Sequence, residues 1–127
     1  MKKLLVLLFS ILISFNSYGE WTLVTTGIDV KNKYYIDFDG VDKNNGYTYY
    51  WNLVDFEKLS KWGELSAKVL YEVDCNAPLK EKRISSIYYK LPMGKGAISD
   101  TSNSPGDWEY ASPDSVREQT IKAVCNY

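Results

Sequence analysis

The sequence contains no histidine. That absence removes the commonest general base and the commonest metal ligand, and with them every Ser-His or Cys-His nucleophile arrangement. Most hydrolase mechanisms are therefore excluded before any motif is sought. Clustered carboxylates in a credible acid–base constellation are missing too, so no catalytic residue is assigned and a non-enzymatic role is expected. Excess positive charge is also lacking, which argues against a nucleic-acid partner, since phosphate binding demands a basic stripe. Long apolar runs are confined to the first residues, so no transmembrane segment is expected once those are removed. No cysteine stands directly after that run, which speaks against a lipid anchor on an N-terminal cysteine.

Two partial motifs fall short for physical reasons. Asp37, Asp39 and Asp42, with Asn44 and Asn45, offer oxygen ligands of the kind that hold calcium. A calcium loop of the EF-hand type needs glycine sixth and glutamate twelfth, but Gly40 stands fourth and no acid stands twelfth. Gly94-Lys95-Gly96 is a glycine-rich fragment that does not lie between a strand and a helix, as phosphate cradling requires. A polar turn and a tight turn account for them, and neither a metal nor a cofactor is expected.

What is present begins with an export signal. Lys2 and Lys3 precede an apolar stretch from Leu4 to Phe15, and Ser17-Tyr18-Gly19 places small residues at −3 and −1 of a cleavage site before Glu20. Residues 1–19 are read as a signal peptide and 20–127 as one α+β domain. Cleavage leaves 108 residues, with 13 basic against 16 acidic side chains and a net charge of −3. The destination is the periplasm, the outer cell surface or the medium. In such a compartment the two cysteines, Cys75 and Cys125, are expected to pair. Closing a loop of that length stabilises by up to about 4 kcal/mol in the chain-entropy model.

Periodicity supplies the architecture. Short β-type runs occur at Trp21 to Thr25 and Lys33 to Phe38, and a longer one at Tyr47 to Phe56. In the last, Tyr47, Tyr49, Trp51 and Leu53 share one face and Thr48, Tyr50, Asn52 and Val54 the other. From Leu65 to Cys75 alternate residues are apolar, so this strand is predicted to bury one face and to carry Cys75 on it. Arg83 to Leu91 is the next strand, followed by weaker ones near Ala97 to Asp100 and Trp108 to Tyr110. One helix is predicted at the end, with Ser112 as N-cap, Pro113 first and Asp114 at the positive end of the dipole. Val116, Thr120, Ile121, Val124 and Cys125 lie on its apolar arc. The predicted fold is an antiparallel sheet of about six strands with the C-terminal helix packed on one face and tied there by Cys75–Cys125.

Two surface features suggest a partner. Tyr34, Tyr35, Tyr49, Tyr50, Trp51, Tyr88 and Tyr89 are numerous for a small core, and tyrosine and tryptophan favour interfaces. Adjacent pairs are expected to split between the two faces of the sheet. Lys58, Lys61 and Trp62 form a basic-aromatic group in FEKLSKW, and Lys80, Lys82 and Arg83 form another. The first group is the candidate partner-binding site.

These features in order resemble the surface-adhesin protein E family of Gram-negative bacteria. The resemblance is carried by YYIDFDGV (Tyr34 to Val41), the Trp51 strand, SAKVLYEVDC (Ser66 to Cys75), the Gly94-Lys95-Gly96 turn and SPDSVREQTIKAVCNY (Ser112 to Tyr127). It implies a surface protein that binds extracellular-matrix and serum proteins such as laminin, vitronectin and plasminogen. It also implies a vitronectin-contacting role for the segment around FEKLSKW, where Lys58 and Lys61 are the cations. The functional expectation is an exported, non-enzymatic binding module whose partner meets an exposed sheet face or edge. The alternative is a periplasmic structural or accessory protein that binds envelope components, or a second copy of itself as a homodimer, through a strand edge.

Overall fold

A computed structural model of the protein describes residues 20–127; the signal-peptide reading of residues 1–19 lies outside the described residues. Eight antiparallel strands form one sheet: β1 (Thr22–Thr26), β2 (Lys33–Ile36), β3 (Asp42–Asn44), β4 (Tyr47–Asp55), β5 (Ser66–Asp74), β6 (Lys80–Tyr89), β7 (Ile98–Ser102) and β8 (Glu109–Tyr110). The sheet is six positions wide, in the order β1-β2-β4-β5-β6-β7. β2 and β3 share one flank of β4, pairing with Asn52–Asp55 and Tyr47–Tyr49 respectively. β7 and β8 divide one flank of β6 in the same way. The expected six strands are thus the main path, β8 is the brief strand expected near Trp108 to Tyr110, and β3 is an addition.

β4 and β5 occupy the centre in continuous register from Thr48↔Val73 to Asp55↔Ser66. One face carries Ile36, Tyr50 and Val73, which close a core with Ile121 and Val124 of the helix α1 (Val116–Cys125). The helix begins three residues later than the sequence signals suggest. Ser115 is the N-cap, its Oγ accepting from the Glu118 amide at 3.0 Å. Ser112 instead closes a preceding turn, its carbonyl accepting from Ser115, and Asp114 at φ 61° lies outside helical conformation.

Cys75 and Cys125 are joined as expected, across a sequence separation of 50. The bond ties the end of β5 to the last residue of α1. Cys75 itself lies one residue beyond the strand and is exposed rather than on the buried face. The alternation that would have buried it stops with Val73, because the chain turns away at Asp74.

Among the described residues, no helix covers the opposite face of the sheet. Only the turn at Pro92–Gly94 folds over it, where the Gly94 amide donates to Ser66 Oγ (2.8 Å), Ser66 Oγ donates to the Leu91 carbonyl (2.6 Å), and the Met93 amide donates to Asp55 Oδ1 (2.9 Å). Gly94 has φ 66°, the left-handed region that favours glycine; a Cβ there would come 2.6 Å from Lys68 Cε, the movable end of that side chain, so it is the backbone conformation that selects glycine. Leu53 and Ser66 are fully buried near it and Tyr89 nearly so, while the rest of the face is at least partly exposed.

Candidate functional site

The side chains between sheet and helix form a closed polar network. The Tyr50 hydroxyl donates to Glu81 Oε1 at 2.8 Å, and Arg117 Nε donates to Glu81 Oε2 at 3.2 Å. A second carboxylate, Glu109, meets the Arg117 guanidinium from outside. Burial raises the Glu81 carboxyl above the usual glutamate range, against the lowering pull of the Tyr50 hydrogen bond and of Arg117. Burial also pushes the Tyr71 hydroxyl up to about 12. A cleft of about 320 Å³ beside the network is lined by Tyr34, Asn52, Tyr71, Glu81, Arg117 and Thr120. Tyr50, Glu81, Arg117 and Glu109 satisfy one another and hold the helix on the sheet, whereas Asn52 Oδ1 is buried without a hydrogen-bond partner; no nucleophile stands beside a base among them.

The uncovered face is chemically different. Trp21, Trp51, Lys68, Ile87 and Tyr89, with Asp37, line a shallow hollow of about 270 Å³. Lys68 Nζ sits 5.2 Å from the Tyr89 ring centre and 5.8 Å from that of Trp21. Farther along, Lys80 Nζ lies 4.9 Å from the Trp108 ring centre and 5.7 Å from that of Tyr110, and Lys82 Nζ 5.0 Å from Trp108. Five of the six cation–π contacts among the described residues are therefore on this face, each holding an ammonium group against a ring. Lys82 also reaches Glu72 at 3.9 Å, and the Tyr49 hydroxyl donates to Glu72 at 2.9 Å, which raises the Tyr49 pKa. The surface thus alternates flat aromatic area with positive charge.

The tyrosine pairs divide as the strand period requires. Tyr50 is buried beneath the helix while Tyr49 and Trp51 face the open side, and Tyr35 and Tyr89 share that side by register. Trp21, Lys68 and Trp108 are the members that sequence reasoning missed. They come from three distant segments, and only the register joins them; the i, i+2 spacing of Lys80 and Lys82 was the one local signal.

Lys58, Lys61 and Trp62 are brought together elsewhere, on the β4–β5 loop at one end of the sheet. Lys61 Nζ stands 4.3 Å from its neighbour's ring, and Trp62 is 67% exposed. The loop is built to hold that side chain out. Ser60 Oγ accepts from the Trp62 amide at 3.3 Å and the Glu64 amide at 3.0 Å, and it donates to Glu64 Oε1 at 3.0 Å. Asp37, Asp39 and Asp42 spread over the β2–β3 connection, with Asp39 inside a 3-10 turn and Asp42 on β3.

Fold and surface together define a disulfide-tied α+β sheet protein with one covered face and one open aromatic-cationic face. The model of the family described as surface-adhesin protein E matches residues 21–126, so the chain belongs to that family. In structure it is similar to Haemophilus influenzae protein E in crystal form II. The two share 14% identity and a TM-score of 0.66 over 85% of this chain and 88% of that one. A protein E structure from non-typeable Haemophilus influenzae gives 13% identity and a TM-score of 0.62, over 85% and 76% of the two chains. At such identity the likeness is one of fold. No curated protein matches this chain by sequence.

Proposed function

We propose that the protein is an exported, non-catalytic adhesion module that receives an extracellular-matrix or serum protein on the open face of its sheet. The observation that carries this reading is the row of lysines held against Trp21, Tyr89, Trp108 and Tyr110. Aromatic side chains on a rigid scaffold supply large contact area at low entropic cost, and the half-desolvated ammonium groups add orientation for acidic partners. Membership of a family of surface adhesins supports the same reading. Lys58, Lys61 and Trp62 stand apart from this face, at the end of the sheet, and the reading does not depend on them.

The test has two parts. Protease accessibility on intact cells and fractionation separate surface display from periplasmic retention. Binding of the purified protein to immobilised laminin, vitronectin and plasminogen then tests the partner class. Surface display with saturable binding to at least one of them is expected. Strictly periplasmic protein that binds none would favour the envelope-accessory alternative.

A further inference from the structure

Three hairpin loops meet at one end of the sheet: residues 27–32 between β1 and β2, 56–65 between β4 and β5, and 90–97 between β6 and β7. Each pushes apolar side chains into solvent. Ile28 is 84% exposed and Val30, Leu59, Trp62 and Leu91 are all exposed, with Ile98 at the start of β7 beside them. These account for six of the ten large hydrophobic residues exposed among the described residues.

The loops are fastened to one another. The Lys31 amide donates to Glu57 Oε2 at 2.9 Å, and the Glu57 amide donates to Asn32 Oδ1 at 2.9 Å. Lys90 Nζ donates to the Trp62 carbonyl at 3.2 Å. The exposed apolar groups therefore sit on a preorganised platform.

The charge is polarised along the same axis. The three loops carry five lysines (Lys31, Lys58, Lys61, Lys90, Lys95) against three acids, a net of +2. The rest of the chain from Glu20 has eight basic and thirteen acidic residues, a net of −5. Asp37, Asp39, Asp42 and Asp74 lie toward the far end of the sheet together with Lys43 and Lys80, while Asp55 and Asp100 border the loop end.

We propose that this loop end docks on an anionic lipid surface. Single protruding apolar side chains separated by lysines need no shape-matched pocket, and a headgroup layer accepts them at any spacing. Tryptophan favours the membrane–water boundary, lysines snorkel toward headgroups while their stems remain in apolar surroundings, and anionic lipid attracts each cation near the surface. The charge polarity would present this end first. In that pose the sheet stands on the lipid with its aromatic face to the side.

The test is co-sedimentation of a chain beginning at Glu20, which holds every described element, with phosphatidylcholine vesicles containing about one quarter phosphatidylglycerol or none. Binding to the anionic vesicles is expected, weakening as salt rises from about 0.05 to about 0.5 M. Lys58→Ala/Lys61→Ala should weaken it roughly 25-fold, about fivefold per cation. Leu59→Ser/Trp62→Ser should weaken it at least about tenfold through lost apolar insertion. A tryptophan emission blue shift on the vesicles should be reduced in Trp62→Phe. All variants lie on exposed positions, and unchanged circular dichroism and melting temperature would confirm the fold.

The proposal is overturned by absence of binding to anionic vesicles at low salt, or by binding that both double variants leave unchanged. It is likewise overturned if the variants lose a matrix protein while vesicles are ignored, which would make the loop end a protein contact. Matrix-protein binding measured without lipid, on variants of the open face, stands or falls separately.

Discussion

The Tyr50 hydroxyl reaches across the core to Glu81 at 2.8 Å, joining the middle of β4 to the start of β6, and Arg117 of the helix closes on the same carboxylate. Neither Tyr50 nor Glu81 has more than marginal solvent contact. Removing the hydroxyl in Tyr50→Phe leaves a buried carboxylate oxygen short of a donor, which costs roughly 1–3 kcal/mol. Urea unfolding of this variant should show a lower midpoint with an unchanged slope; an unchanged midpoint would mean the bond contributes nothing.

The same carboxylate sets a pH dependence opposite to ordinary acid unfolding. Its pKa is raised in the fold by burial, so the folded state holds the proton more tightly than the unfolded chain. Its contribution is fully present below the ordinary glutamate range and is lost as pH rises through the raised value. Relative to Glu81→Gln, the wild type should lose stability as pH climbs from about 4 toward neutrality. Parallel melting curves across that range would contradict this. Tyr71, pushed up to about 12, should add a second loss above about pH 10, by the same sign.

Arg117→Met takes away the cation nearest Glu81. The Arg117 side chain is 35% exposed, so the cost should be about 1–2 kcal/mol, below that of breaking a fully buried pair. The neutral-pH loss should also steepen, because Arg117 lowers the Glu81 pKa. Thermal melts at two pH values measure both effects.

The Cys75–Cys125 bond closes a long loop and lies at the sheet's rim, with Cys75 exposed to reductant. Reduction should lower stability by up to about 4 kcal/mol, against a total of roughly 5–15 kcal/mol for a typical domain. A melting temperature unchanged by strong reductant would show the bond to be absent or without effect.

Much of this architecture was legible in the sequence. Period-two patterning from Leu65 onward, the apolar arc ending at Cys125 and the cysteine pair all pointed to a sheet with a tied helix. β3 escaped because Asp42, Lys43 and Asn44 have no apolar member; its trace was the Asn45-Gly46 turn, with both residues at positive φ as a two-residue hairpin requires. The helix start was misread because Ser112-Pro113 is the stronger local signal, although Ser115 and Glu118 hold capping-box spacing. The open face was harder still. Trp21, Lys68 and Tyr89 come from β-register over nearly seventy positions, and no local pattern brings them together. The Lys58–Trp62 group was visible, but its apolar companions Ile28 and Leu91 sit on loops far away in sequence.

The open face is the contact surface on which the proposed adhesive role depends. The most direct test is the affinity of wild type and a Trp21→Ser/Lys68→Gln variant for whichever immobilised matrix or serum protein the wild type binds. Circular dichroism should first show both chains folded. Both positions are only half-buried, so the fold should persist while affinity falls at least about tenfold, as expected for losing an aromatic anchor and its cation. Equal affinity of the two folded proteins would contradict the assignment of the open face.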